Sequence, residues 1–248
     1  MKVQRERCIE MGGENLPASQ NEERVRVLTM ARRYFRQQVR LGFDHVFASS
    51  APGPLLLSNQ KRIQELYRQI KDCVKCSLHK TRNHFVFGEG NPEAQIMFIG
   101  EAPGRDEDLK GRPFVGRAGQ LLTRMLAAIH FSREEVFIGN ILKCRPPQNR
   151  DPLPEEIQLC EPHLHAQLAI IRPWLICALG RIAAQTLLKT STPLSRLRGQ
   201  LHDYQGVKLI ATYHPAALLR NPQLKRGAWE DLQLLRREHD RILSEQTS

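Results

Sequence analysis

No apolar run in these 248 residues approaches the ~20 that a membrane-spanning helix needs. The opening stretch, MKVQRERCIEMGGEN, lacks the apolar core of a secretory signal. Together these gaps lead to the expectation of a soluble intracellular protein, cytoplasmic and without a membrane partner. There is no internal repeat and no low-complexity tract, so nothing points to a solenoid or a fibrous array. Acidic side chains are in deficit: 26 Asp and Glu face 37 Lys and Arg, a formal net charge of +11 with histidine neutral. That surplus points to a polyanionic partner, nucleic acid first, with a basic enzyme of small substrates as the other reading. Cysteine is also sparse, at six residues. In a reducing compartment so few thiols do not suggest a disulfide framework, and close pairs point to metal or redox chemistry.

What is present is a sequence able to fold. A hydrophobic share of 41% beside 25% charged residues supports a buried core and excludes wholesale disorder. Residues 1–58 differ from the rest. Ser19 and Glu22 form a capping box that opens an amphipathic stretch to about Leu41, crowded with arginine. It reads either as a solvated helix or as an arm for nucleic acid or a partner. ASSAPGPLLLS at 48–58 has the composition of a linker. From Asn59 to the end the pattern is that of one α/β domain. Four apolar runs read as buried strands: QIMFIG at 95–100, VFIGNI at 136–141, WLICALG at 174–180 and VKLIATY at 207–213. Helical patterns lie near 59–72, 117–130, 154–171, 180–189 and 227–243. The alternation predicts a central, mostly parallel four-stranded sheet between helices. Ligands of such sheets bind at the carboxyl ends of the strands.

Three motifs follow strand ends. GEAPGRDEDLKGRPFVGRAGQLL (100–122) is glycine-rich, sets Glu101 at a strand tip and carries one large aromatic, Phe114. GNILKCRPPQNRDP (139–152) puts Asn140 at the next tip, and TYHPAALLRNPQLKRGAWEDL (212–232) does the same for His214. Taken singly, each has an ordinary structural reading: a strand-to-helix turn, a cap, a core aromatic. Of the cysteines, Cys73 and Cys76 form a Cys-x-x-Cys pair, and Cys144 and Cys160 follow with fifteen residues between them. Cys177 reads as a buried small hydrophobe, and Cys8 has no evident partner.

These segments, with the cysteine pattern, resemble the family 4 uracil-DNA glycosylases, the iron–sulfur members of that superfamily, over about residues 59–240. The resemblance implies a three-layer α/β fold. It implies a DNA-repair hydrolase that cuts the N-glycosidic bond of uracil in DNA, single- or double-stranded, and leaves an abasic site. It assigns Gly100, Glu101 and Ala102 to the turn lining uracil and the attacking water. Phe114 becomes the stacking aromatic, Asn140 the amide that reads the uracil edge, and His214 the donor to uracil O2. Glu101 and His214 are the catalytic pair. Cys73, Cys76, Cys144 and Cys160 become the ligands of a 4Fe–4S cluster, with Cys₄ zinc as the alternative. Glu107 is either a wall against carbon 5 of the base or a solvated loop carboxylate. Leu218, Leu219 and Arg220 are expected as a wedge into the DNA stack. Arg145, Arg150, Lys225 and Arg226 are expected on phosphates, with Ser195–Gly199 a weaker third contact. The protein is expected to act as a monomer, and the sequence identifies no replication partner.

Two other functions stay open at this stage. One is a non-catalytic iron–sulfur DNA-binding protein. The other is a relative that traps uracil-DNA covalently through a loop histidine; Ala102 replaces the glutamine of those relatives, and His130 is the only histidine between Gly104 and Asn140.

Overall fold

The computed structural model describes residues 58–247. The basic helical extension expected over 1–58, with its capping box, lies outside the described residues apart from Ser58. The strands are β1 Glu89–Gly90, β2 Ile96–Gly100, β3 Phe137–Asn140, β4 Leu175–Leu179, β5 Leu201–Tyr204 and β6 Val207–Thr212. The helices are α1 Asn59–Ile70, α2 Arg105–Lys110, α3 Arg117–Ala128, α4 Pro154–Ile171, α5 Arg181–Leu188, α6 Leu194–Leu197, α7 Pro215–Arg220 and α8 Lys225–Thr247.

One sheet runs in the order β1-β3-β2-β4-β6-β5. Its four central strands are the four apolar runs, and they pair in parallel. The expected sheet of four is corrected to six, because a short antiparallel strand closes each edge. Neither edge strand announces itself as an apolar run. β1 has two residues, and β5 is LHDY, half open to solvent. The β5–β6 hairpin turns through Gln205 and Gly206, both at positive φ, the geometry of a tight two-residue loop.

β2 and β4 are buried along their whole length, as parallel strands covered on both faces must be. Alternate residues supply two cores. Met97, Ile99, Ile176 and Ala178 face one layer, with Leu164 and Leu168 of α4 and Ala183 and Leu187 of α5. Ile96, Phe98, Leu175 and Cys177 face the other, with Leu122 and Leu126 of α3 and Leu232 and Leu235 of α8. Cys177 is therefore core, as its sequence context suggests.

Leu218 belongs to this second core at 2% exposure, so its expected place in a DNA wedge is corrected. In α7 it points inward, while Leu219 and Arg220 are exposed. Leu218→Ala is expected to lower the unfolding free energy by about 2–5 kcal/mol. Leu219→Ala should change it by less than about 0.5 kcal/mol. Denaturant midpoints measure both, and equal small shifts would mean that α7 does not pack this way.

Candidate active site

The chain leaves β2 toward β3 on one side and leaves β4 toward β6 on the other, so a crevice opens at the carboxyl ends between β2 and β4. There the structure has a cavity of about 520 Å³, within the usual range for a small-ligand site. All four central strands deliver residues to it: Glu101 and Ala102 after β2, Asn140 from β3, Gly180 and Arg181 after β4, Tyr213 and His214 after β6. Phe114, Glu107 and Arg220 complete much of the wall.

The tightest convergence is over Gly100. β2 and β3 are registered so that Gly100 pairs with Asn140. A Cβ at Gly100 would lie 2.5 Å from Asn140 Oδ1 and 2.6 Å from Phe114 Cζ. Only a bare backbone lets the amide and the ring meet there. Asn140 is 2% exposed, and its Oδ1 has no hydrogen-bond partner. A buried unpaired acceptor costs free energy and is a group set to receive a donor. The Asn140 carbonyl accepts from Lys143 Nζ at 2.9 Å, which fixes the strand end.

Phe114 sits at φ 52°, a left-handed backbone that is uncommon for a side-chain-bearing residue. Its loop is shaped by two neighbours. Glu107 Oε1 accepts from the N–H groups of Val115 and Gly116 at 2.8 and 2.9 Å. A Cβ at Gly119 would lie 1.8 Å from the Phe114 carbonyl oxygen, so α3 approaches the loop only because that position is glycine. Glu107 thus lines the cavity as a loop anchor, which is neither a freely solvated carboxylate nor a side chain free to move toward a base.

His214 caps α7: its Nδ1 accepts from the Ala216 N–H at 3.1 Å. That bond leaves the ring proton on Nε2. Burial, and then the charge of Arg220, lower the His214 pKa to about 4, so the ring is neutral near pH 7. Its ring centroid lies 5.5 Å from that of Phe114, with the planes tilted by 33°. Behind this strand end, Thr212 Oγ1 and Arg198 Nε both donate to buried Asp231, at 2.7 and 3.0 Å. The Arg198 guanidinium stands 5.2 Å from the Tyr213 ring centroid. Glu101 has its carboxyl raised, first by burial and then by Asp151, with Arg181 partly offsetting both. Arg181 donates to Asp151 at 2.6 Å.

A model of the uracil DNA glycosylase superfamily matches residues 87–233. The chain is 53% identical over 171 residues to the type-4 uracil-DNA glycosylase of Archaeoglobus fulgidus, covering 66% of this chain and 86% of that one. It is 47% identical over 172 residues to the Saccharolobus solfataricus type-4 enzyme, with 66% and 80% covered. For the Thermotoga maritima type-4 enzyme the identity is 42% over 182 residues, with 72% and 95% covered. The chain belongs to the uracil DNA glycosylase superfamily, in its type-4 family.

In this type-4 family member Cys73, Cys76, Cys144 and Cys160 do not line the cavity. Cys73 and Cys76 follow α1, Cys144 follows β3 and Cys160 is in α4. Arg82 Nη1 donates to Cys144 Sγ (3.2 Å) and the Lys143 N–H to Cys160 Sγ (3.3 Å), and His163 Nε2 lies 3.2 Å from Cys73 Sγ. The thiols feel one another. Burial first, then charge at Cys76 and Cys73, raise the Cys144 thiol against the pull of Arg82. Burial pushes Cys160 up to about 12 despite Lys143, with Cys144 and Cys76 adding to the rise. Among the described residues no group of three or more His, Cys, Asp or Glu side chains is spaced to hold one metal ion. Nitrogen partners on three of the four sulfurs, those of Cys73, Cys144 and Cys160, suit thiolate ligands.

Around this type-4 site the outer residues divide. Arg220 lines the cavity, and Leu219, Lys225 and Arg226 are exposed, with Arg226 3.3 Å from Glu230. Arg145 donates to Asn149 at 2.7 Å. Arg150 also lines the cavity, and it donates at 2.9 and 2.6 Å to both oxygens of buried Glu156. Arg198, in the weaker third loop, is likewise committed to Asp231 and the Gly227 carbonyl. Sequence reasoning missed Asp151, Arg181 and Tyr213. Arg181 was findable, since it directly follows the third apolar run.

A neutral His214 makes a testable statement. Its ring should hold one proton, on Nε2, and titrate near pH 4 in nitrogen NMR. Because the folded pKa lies below the unfolded 6.5, the unfolded chain binds the extra proton first. Stability from this group is complete above about pH 6.5 and falls as pH drops toward 4. Titration at 6.5 would show that burial does not hold the ring neutral.

Proposed function

We propose that this protein hydrolyses the N-glycosidic bond of deoxyuridine in DNA, releasing uracil and leaving an abasic site. The observation that carries the reading is the convergence of Phe114, Asn140, His214 and Glu101 on one cavity, with Asn140 Oδ1 buried and unpaired. A base inside a duplex is out of reach and is flipped into the pocket at a cost of a few kcal/mol. Stacking on Phe114 recovers about 1–3 kcal/mol of that. Asn140 Oδ1 accepts the ring imide N–H, and the amide nitrogen donates to uracil O4. Cytosine presents the opposite pattern and leaves both groups unpaired, which is the basis of strong discrimination. Gly100 and Ala102 contribute backbone to the same wall.

As the C1′–N1 bond breaks, its electron pair goes to uracil and positive charge develops on the sugar. His214 Nε2–H donates to O2 and holds the growing negative charge. Glu101 stabilises the sugar and orients the water whose oxygen bonds to C1′. Its carboxyl, raised by burial, is the better proton acceptor for that water. Uracil-containing DNA is thus the partner, acted on by a monomer. Leu219 and Arg220 are placed to meet the gap left by the flipped base, and Arg145, Lys225 and Arg226 to meet phosphates. The catalytic domain is assigned to residues 59–248.

We further assign Cys73, Cys76, Cys144 and Cys160 to a 4Fe–4S cluster. These four thiolates would hold the cluster and so cross-link the segment after α1, the loop after β3 and α4, and the base chemistry assigned above uses none of them. The purified protein should be brown, with iron and acid-labile sulfide, and Cys73→Ala should lose both colour and stability. A colourless, stable protein with one zinc per chain would overturn the assignment.

Asn140→Asp tests the base reading. The carboxylate would face uracil O4 lone pair to lone pair, so single-turnover uracil excision should fall by at least about 10- to 100-fold, the size of one or two lost buried hydrogen bonds. Cytosine excision should rise above background. The assay uses matched oligonucleotides, with folding followed by circular dichroism. Excision of uracil at the wild-type rate would show that Asn140 does not read the base. If the wild-type protein binds uracil-DNA and excises nothing, the non-catalytic reading takes its place.

A further inference from the structure

The Phe114 ring is aimed by a backbone that its own side chain disfavours, and that backbone is held by one residue that lines the cavity and one that does not. Glu107 restrains the amide side of the loop, at Val115 and Gly116. The carbonyl side is restrained by Arg133, which comes from the segment leading into β3. Its Nη1 donates to the Phe114 carbonyl at 3.1 Å and its Nη2 to the Pro113 carbonyl at 2.9 Å. A planar guanidinium fork fixes two successive carbonyls in a way that a single ammonium cannot.

Arg133 is itself held. Its side chain is 15% exposed, and Nη2 also pairs with Glu89 Oε1 on β1. The other Glu89 oxygen accepts from Arg112 Nε at 2.8 Å, so the carboxylate bridges the loop's own Arg112 to Arg133. β1 has only two residues and closes the sheet edge beside β3. Its Gly90 is wedged against β3, where a Cβ would lie 2.0 Å from the Val136 carbonyl oxygen. Such a strand adds little to the sheet, but it delivers Glu89 to Arg133. Arg133 does not line the cavity, and it meets Phe114 at the backbone carbonyl.

We propose that Arg133, seated by Glu89, is a positioning residue that sets the pose of the Phe114 ring through the 113–116 backbone. The proposal rests on the uracil-excision reading for its kinetic consequence, and on geometry alone for its structural one. Misplacing a stacking ring by a fraction of an ångström weakens the flipped-base complex and the alignment for bond cleavage.

The test is a double-mutant cycle on single-turnover uracil excision, with thermal midpoints measured alongside. Arg133→Ala should slow excision about 10- to 100-fold when Phe114 is present. In a Phe114→Ala background the same change should cost less than about twofold, because no ring remains to aim. Arg133→Lys should recover only part of the loss, and Glu89→Gln should fall between Arg133→Lys and wild type. Equal losses in both backgrounds, or no loss, would overturn the proposal and leave Arg133 a staple of the fold. If Arg133→Ala does not fold, Arg133→Lys and Glu89→Gln carry the same cycle. A second readout needs no activity: 4-fluorophenylalanine at position 114 should give one sharp fluorine resonance, which Arg133→Lys splits or broadens. A wild-type protein that excises nothing would defeat the functional reading, while the fluorine spectrum would still decide the clamp. An unchanged spectrum defeats the clamp whatever the activity.

Discussion

The parallel register of β2 on β3 sets Gly100 beside Asn140, and the cavity is arranged around that pair. A side chain at position 100 would strike both Asn140 Oδ1 and the Phe114 ring. Without one, a buried amide and an aromatic face lie against the same strip of backbone. A slip of one residue would turn Asn140 to the other face of the sheet, because strand side chains alternate. Two buried faces hold the register fixed. The hydrophobic cores thus act on the site through alignment as well as through stability.

Lys143 carries this alignment toward the cysteines. Its side chain is fully buried, with Nζ on the Asn140 carbonyl at 2.9 Å and on Gln167 Oε1 at 2.6 Å. Its own N–H is directed at Cys160, and Cys144 is the next residue. Burial draws the ammonium well below its usual range. A buried cation with two oxygen partners is expensive to form and costly to disturb, which gives it a defined position rather than a large net stabilisation. One lysine therefore touches the strand end that presents Asn140 and the helix that carries Cys160.

The legible parts of the sequence were those in which one local pattern decides the outcome. The four central strands are apolar runs because parallel strands are covered on both faces, and the strand-end rule placed Glu101, Asn140 and His214 correctly at one cavity. The edge strands escaped notice because an edge needs only a few hydrogen bonds and no buried run. Leu218 and Leu219 are alike in sequence, and only the packing of α7 shows that one is core and the other exposed. Arg150 looks like any surface cation until Glu156 is found beneath it. Arg133 and Glu89 lie 44 residues apart, so nothing local predicts that they meet.

Charge is distributed so that base reading and DNA affinity depend on different groups. Within the cavity the side chains that would face the base are neutral or paired: Asn140 is an amide, His214 has lost its charge to burial, and Glu107 is occupied by two backbone amides. A neutral imidazole donor suits a leaving uracil, because it strengthens its bond as charge develops without binding anions strongly beforehand. Of the cations with a free end, Arg220 lines the cavity from the exposed end of α7 and Lys225 stands outside it. Contacts to phosphate set affinity and lose strength with salt, whereas contacts to the base edge set identity. Raising ionic strength should therefore weaken DNA binding steeply while leaving the preference for uracil over cytosine unchanged in the bound complex. A preference that collapses with salt would mean that surface cations, and not Asn140, distinguish the bases.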